Sequence, residues 1–146
     1  MPLTDWTRVF AKLSTDGYTR TSDATPDYNC IAWAAGDNTQ WWEPDTSNLG
    51  YWPPGVERKR TVRAYRAAFA AIGYAPCRMP DLESGYEKIA IYVSNNPKIP
   101  QHAARQLPNG KWTSKLGFGD DIEHTLDSLN GGMYGTHSIY MKRRVP

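Results

Sequence analysis

Apolar residues recur at helical spacing in the first half of the chain and alternate at strand spacing in the second. Val62, Tyr65, Ala68, Phe69 and Ile72 line one face of "RTVRAYRAAFAAIGY", with Arg60, Arg63 and Arg66 on another and Gly73 at its end. That pattern predicts an amphipathic helix. Trp6, Val9, Phe10 and Leu13 predict a shorter first helix, with Thr4 as its cap. "NCIAWAAG" predicts another, capped by Asn29, favoured by Ala32, Ala34 and Ala35, and stopped by Gly36. After Gly73 the period changes. "EKIAIYV" reads as a strand, "IPQHAARQL" and "KWTSKLG" as a hairpin around "PNG", and "THSIYMKRR" as a final strand. "DDIEHTLDSL" reads as a short helix or turn with acids in its first turn. Helices followed by a small antiparallel sheet give an α+β fold, and 146 residues suit one domain spanning 1–146.

Two stretches break the periodicity. "TDGYTRTSDATPD" is a polar loop of turn formers. "DNTQWWEPDTSNLGYWPPG" is too rich in Pro, Gly, Asn and Asp for a regular element, and a loop of that length is either functional or disordered. Trp41, Trp42, Tyr51 and Trp52 within it argue for an ordered, packed loop.

Composition narrows the function classes. Hydrophobic residues at 40% and charged residues at 22% are those of a globular chain. The aromatic share, 12%, comes mostly from Trp and Tyr, whose polar tips need partners, so grooves and interfaces are expected. A net charge of +2, with local runs "ERKRTVR" and "MKRR", gives solvated faces and no nucleic-acid partner. No apolar run approaches the ~18 residues of a membrane span, and "MPLTDWTRVF" lacks a signal-peptide core. The expectation is a cytoplasmic protein, or one exported by a signal-independent secretion system. Two cysteines make no disulfide framework, although Cys30 and Cys77 have the option of pairing. Cys77, near Pro76 and Pro80, reads as structural. Neither CxxC nor HExxH spacing occurs, and "LNGGMYG" lacks the lysine of a phosphate loop, so no metal and no cofactor are expected.

Cys30 stands at the predicted start of its helix, where unpaired amides and the helix dipole stabilise an anion. A thiolate there is a nucleophile with a lowered pKa, and the same amides suit an oxyanion. Taken alone, a free cysteine is more simply a small buried hydrophobe. His102, on a predicted strand beside Ala103 and Ala104, supplies a base facing a helix-end nucleophile.

"YNCIAWA" and "QHAARQLPNGKWTSKLG" resemble the papain-like cysteine hydrolase superfamily, in particular its small bacterial amidase and peptidase branch. In that branch a cysteine opens a helix, a histidine follows on a strand, and a polar residue on the next strand orients the imidazole. The resemblance implies Cys30 as nucleophile and His102 as general base. It implies an orienting residue near Ser114, with Lys115, Asn109 or a backbone carbonyl as alternatives. A serine accepts a bond from the imidazole N–H, which a charged lysine does not; one residue of register exchanges Ser114 for Lys115. The chain departs from the pattern in having Asn29, not an acid, before the cysteine, and no upstream glutamine. The backbone amide of Cys30, with Asn29 beside it, is left to meet the oxyanion. Most of the chain also resembles a bacterial family of uncharacterised domains sharing "YNCIAWA", a "WW-P" element and the "SKLG" segment.

Trp41, Trp42 and Trp52 either line a substrate cleft or form a small core under their loop. Adjacent residues in extended chain point to opposite sides, so one of Trp41 and Trp42 is expected to pack inward while the other walls the cleft. His124 reads as structural, with a second active-site histidine as the alternative, and His137 as structural. The resulting expectation is a cysteine-dependent hydrolase or acyltransferase acting on a peptide, peptidoglycan-stem or glutamine amide. The alternatives are a non-catalytic peptide- or glycan-binding module, or an immunity or adaptor domain with a cognate protein partner.

Overall fold

The structure is a computed structural model in which residues 4–146 are described. Seven strands form one sheet: β1 (Thr19–Arg20), β2 (Ala75–Cys77), β3 (Tyr86–Val93), β4 (Pro100–Gln106), β5 (Trp112–Lys115), β6 (Asp121–His124) and β7 (Thr136–Arg144). Their order across the sheet is β1-β6-β5-β4-β3-β7-β2, with every neighbouring pair antiparallel. Strands β3 to β6 run as a meander, and β7 returns to the free side of β3. Three short helices complete an α+β fold: α1 (Leu13–Asp16), α2 (Cys30–Ala34) and α3 (Val62–Ala70).

Local differences from the sequence reading have physical causes. The N-terminal periodicity gives a 3-10 turn over Trp6–Arg8 and a one-turn α1, not one helix. Its cap is Asp5, whose side chain accepts from the Thr7 amide, and not Thr4. The first half of "DDIEHTLDSL" is β6, and only Leu126–Leu129 coils, as a 3-10 turn. Acidic residues there mark a partner-bound strand: Tyr28 hydroxyl donates to the Asp121 carboxylate. Two residues of the expected polar loop, Thr19 and Arg20, pair with β6 as the edge strand β1.

The sheet is covered on both faces. On one, α2, α3, Trp42 and Trp52 pack against Ile89, Ile91, Ala103 and Met141. On the other, Phe10, Leu13 and Leu129 pack against Ala90, Tyr92, Ala104, Trp112 and Ile122. Burial on both faces explains why β3 reads as an almost unbroken apolar run. It also explains the paired alanines of β4, which leave room for covering elements above and below. Pairing of β3 with β4 shifts between Tyr92 and Val93, so that Tyr92 faces His102 and Val93 faces Pro100. Such bulges re-aim neighbouring side chains, and this one lies beside the candidate histidine.

Candidate functional site

The cysteine helix is set by Asn29. Its backbone is extended, and its Oδ1 accepts from the Ala32 amide (3.1 Å), which starts the helix at Cys30. The same oxygen accepts from the Trp42 amide (3.1 Å), while Nδ2 donates to the Trp42 carbonyl (2.8 Å). The Asn29 side chain is therefore committed to holding the aromatic loop, which replaces the substrate-binding role expected for it.

Pinned in this way, Trp42 turns into the core, 4% exposed, and its Nε1 donates to Asp37 (2.9 Å). It belongs to the packing, not to a cleft wall. Trp41 points the other way. It is half-buried, donates from Nε1 to the Pro26 carbonyl (2.6 Å) and rests on Phe118 with ring centres 5.1 Å apart. With Glu43, Asp45, Ser47, Leu49 and Gly50 it lines a groove of about 380 Å³. A larger groove, about 580 Å³, runs past Leu82–Glu87 and Arg105–Pro108 and is lined by neither Cys30 nor His102. Both of its acids are already paired, Glu83 with Lys88 and Lys142 and Glu87 with Arg143.

The Cys30 thiol is half-buried, and the Ala103 amide on β4 faces it. Burial pushes its pKa up to about 11; the Ala103 amide acts against this, and nearby Glu43 reinforces it. The lowered value expected at a helix start is thus reversed. With five residues, α2 is little more than one turn and adds little dipole to offset the loss of water.

His102 is fully buried on β4 and belongs to a hydrogen-bonded row. Its Nε2 lies 2.9 Å from Ser114 Oγ, and that oxygen lies 2.7 Å from His124 Nε2. His124 Nδ1 lies 2.6 Å from the Thr125 carbonyl, which only accepts. The protons follow from that end. His124 carries its proton on Nδ1, so its Nε2 accepts from the Ser114 hydroxyl. Ser114 Oγ then accepts from His102 Nε2–H. His102 Nδ1 is left as a bare lone pair, buried and without a partner among the described residues. Burial lowers the His102 pKa well below its usual value, with His124 adding to it, and burial brings His124 down to about 4. Both rings are therefore neutral at pH 7.

The structure joins Ser114 to His102 through Nε2 and turns Lys115 to the opposite face. There Lys115 Nζ donates to the Gly117 and Gly119 carbonyls, 5.3 Å from the Tyr28 ring centre. Asn109 lies in the β4–β5 turn and donates to Glu123 (2.7 Å), away from the imidazole. His124 is joined to the row through Ser114. His137 sits apart, bonded to Asp127 and the Tyr140 hydroxyl. Among the described residues no hydrogen bond links Cys30 to His102. The thiol packs with the first core cluster, whereas His102 packs against Tyr92 and Tyr134 of the second. The amide facing the thiol belongs to Ala103, the residue after His102; successive residues of a strand point to opposite faces, so β4 separates the His102 ring from the thiol.

Tyr134 is the site residue that sequence reasoning missed. Its ring stacks on the His102 imidazole, centres 4.0 Å apart and planes 7° from parallel. Burial keeps its phenol protonated, and the Cys30 sulfur lies close enough to add to that. The glycine beside it makes the placement possible: Gly135 has φ +75°, and a Cβ there would lie 2.1 Å from the Val93 carbonyl oxygen. The glycines of "LNGGMYG" were a signal of this close approach, but not of what it delivers.

No group of three or more His, Cys, Asp or Glu side chains among the described residues is placed to hold a metal ion. No helix of the described residues is long and apolar enough to cross a membrane. Residues 19–142 match the model of a domain of unknown function (DUF7689), and the chain belongs to that family. Comparison with curated proteins and with solved structures finds no match.

Proposed function

We propose that this protein is a papain-like cysteine hydrolase or acyltransferase acting on an amide, with Cys30 as nucleophile, His102 as base and Ser114 as the residue that orients it. The observation that carries the reading is the bare Nδ1 of His102, a buried acceptor left open by a row of bonds that fixes the opposite nitrogen as a donor. A buried acceptor without a partner is costly, and a catalytic role is one reason for a fold to keep it.

In the proposed reaction Cys30 rests as a thiol. As its sulfur bonds to the substrate carbonyl carbon, the thiol proton passes to His102 Nδ1, a transfer that requires a path around β4, because the imidazole lies on the other face of the sheet. The amides of Cys30 and Ile31, which face the sulfur, are the donors available to the oxyanion. The C–N bond then breaks, and the leaving amine takes the proton from His102. A buried imidazolium of depressed pKa gives up that proton readily. Water, or an acceptor amine, next attacks the thioester; His102 removes its proton and returns it to the Cys30 sulfur as the acyl group departs.

The test is acylation by p-nitrophenyl acetate, followed by mass spectrometry in a Cys77→Ala background. One acetyl group on Cys30, formed in a burst and then turned over, is expected. His102→Ala should lose the burst. Acylation no faster than in Cys30→Ala, or equal with and without His102, refutes the catalytic reading. A second reading, a binding module, is favoured by one observation: the thiol is held protonated. It predicts that no acylation occurs.

A further inference from the structure

The groove lined by Trp41 and Glu43 adjoins the Asn29–Trp42 link at the start of the cysteine helix and has a definite chemistry. Because Asn29 fixes Trp42 by its backbone and Trp42 points inward, Trp41 and Glu43 both project from the other side of the chain. The segment is held there by an exchange of bonds with its neighbour: Tyr51 N–H donates to the Trp41 carbonyl and Glu43 N–H to the Tyr51 carbonyl, each at 2.8 Å. Gly50 closes the wall, since a Cβ on it would lie 2.5 Å from Glu43 Cβ. The apolar side is open: Phe118, which Trp41 rests on, is 70% exposed, and Leu49 is 89% exposed.

The charges around the groove are mostly committed. Asp45 accepts from the Leu49 and Gly50 amides and the Ser47 hydroxyl, and meets Arg58. Arg60 donates to the Pro100 carbonyl and Gln101 Oε1. Lys115 is bonded to two loop carbonyls. The Glu43 carboxylate has no hydrogen bond or ion pair among the described residues. It is half-buried, with Arg60 as a more distant cation, and it acts on the Cys30 thiol. A carboxylate short of water and of a close partner is stabilised by an incoming cation. Indole and phenyl rings favour the same charge on their faces.

We propose that this groove is the recognition subsite for the substrate, and that it takes an acyl compound bearing an ammonium group, a free α-amine or a basic side chain, set against Glu43 with its hydrocarbon part on Trp41 and Phe118. The proposal rests on the hydrolase reading, and its test separates the two. Cys30 is modified in a Cys77→Ala background with the cationic aminoethyl and the anionic sulfonatoethyl methanethiosulfonate. Rates are normalised to those of free mercaptoethanol. The ratio of the two cancels any change in thiol pKa and reports only the charge beside the sulfur.

The native protein should favour the cationic reagent. Glu43→Gln should lower the ratio roughly five- to tenfold, as expected for one charge several ångströms away in a half-wet groove. Glu43→Asp should keep most of the preference. High salt should erode it in the unmodified groove, which reads the same effect if Glu43→Gln does not fold. A native ratio near unity, or one unchanged by both Glu43→Gln and salt, overturns the subsite while leaving the nucleophile intact. If Cys30 reacts with neither reagent until the protein is unfolded, both the subsite and the hydrolase reading fall.

Discussion

Ser114→Ala isolates the middle of the histidine row. The side chain is fully buried and makes one bond to each imidazole, at 2.9 and 2.7 Å. Its removal leaves a donor on His102 Nε2 and an acceptor on His124 Nε2, both shut away from water. Each buried group left unsatisfied costs about 1–3 kcal/mol, so the variant should lose ~2–6 kcal/mol. A domain of this size commonly has ~5–15 kcal/mol to lose, and the variant should still fold. The assay is urea unfolding, with the midpoint and slope read separately so that a change in the denatured state is not counted as lost stability. Long-range nitrogen NMR spectra supply the second readout. In the native protein His102 should carry its proton on Nε2 alone, and in the variant both tautomers of His102 should appear. A loss below ~0.5 kcal/mol, the range of an inert surface change, together with unchanged His102 tautomers, would refute the row as described.

Acid should weaken the protein before its carboxylates titrate. The unfolded chain takes up histidine protons below pH ~6.5, whereas folded His124 resists until about pH 4. Stability is therefore full above pH ~6.5 and falls between there and pH 4, by about 3 kcal/mol from His124 alone. Asp37 and Asp45, held near 2 by hydrogen bonds that outweigh burial in Asp37, begin to cost stability only below pH ~4. Urea midpoints measured at pH 7 and pH 4.5 check this, and a flat profile across that window would contradict neutral buried imidazoles. Trp42→Ala should cost ~3–5 kcal/mol as a core truncation, while Trp41→Ala should cost clearly less and change the rate of Cys30 labelling. Thermal unfolding and iodoacetamide labelling of the two variants decide between these roles, and equal destabilisation by both would place Trp41 in the core as well.

The parts of the fold written in short-range patterns were legible. Asn29 and Gly36 bracket α2, the apolar stripe of Tyr65, Ala68 and Phe69 forms α3, and the turn at "PNG" joins β4 to β5. The two-residue β1 was not legible, because nothing local distinguishes Thr19–Arg20 from loop; β6 makes it a strand. The choice between Ser114 and Lys115 turned on one residue of register, and sequence argued only from what each side chain can accept. Tyr134 could not be found at all. It reaches His102 from 32 residues further along, by way of a loop whose glycines speak of backbone geometry and not of its cargo.

The Asn29 side chain behaves as a peptide group set sideways into the loop. It offers Trp42 one acceptor and one donor, as a neighbouring strand would, while the same acceptor begins the cysteine helix. An aspartate is as good a helix cap, yet here it would turn an oxygen toward the Trp42 carbonyl oxygen, two acceptors with no proton between them. The position before the cysteine is thus amide-specific in this architecture. An acid there would serve the helix and expel the tryptophan loop, and the groove it walls would go with it.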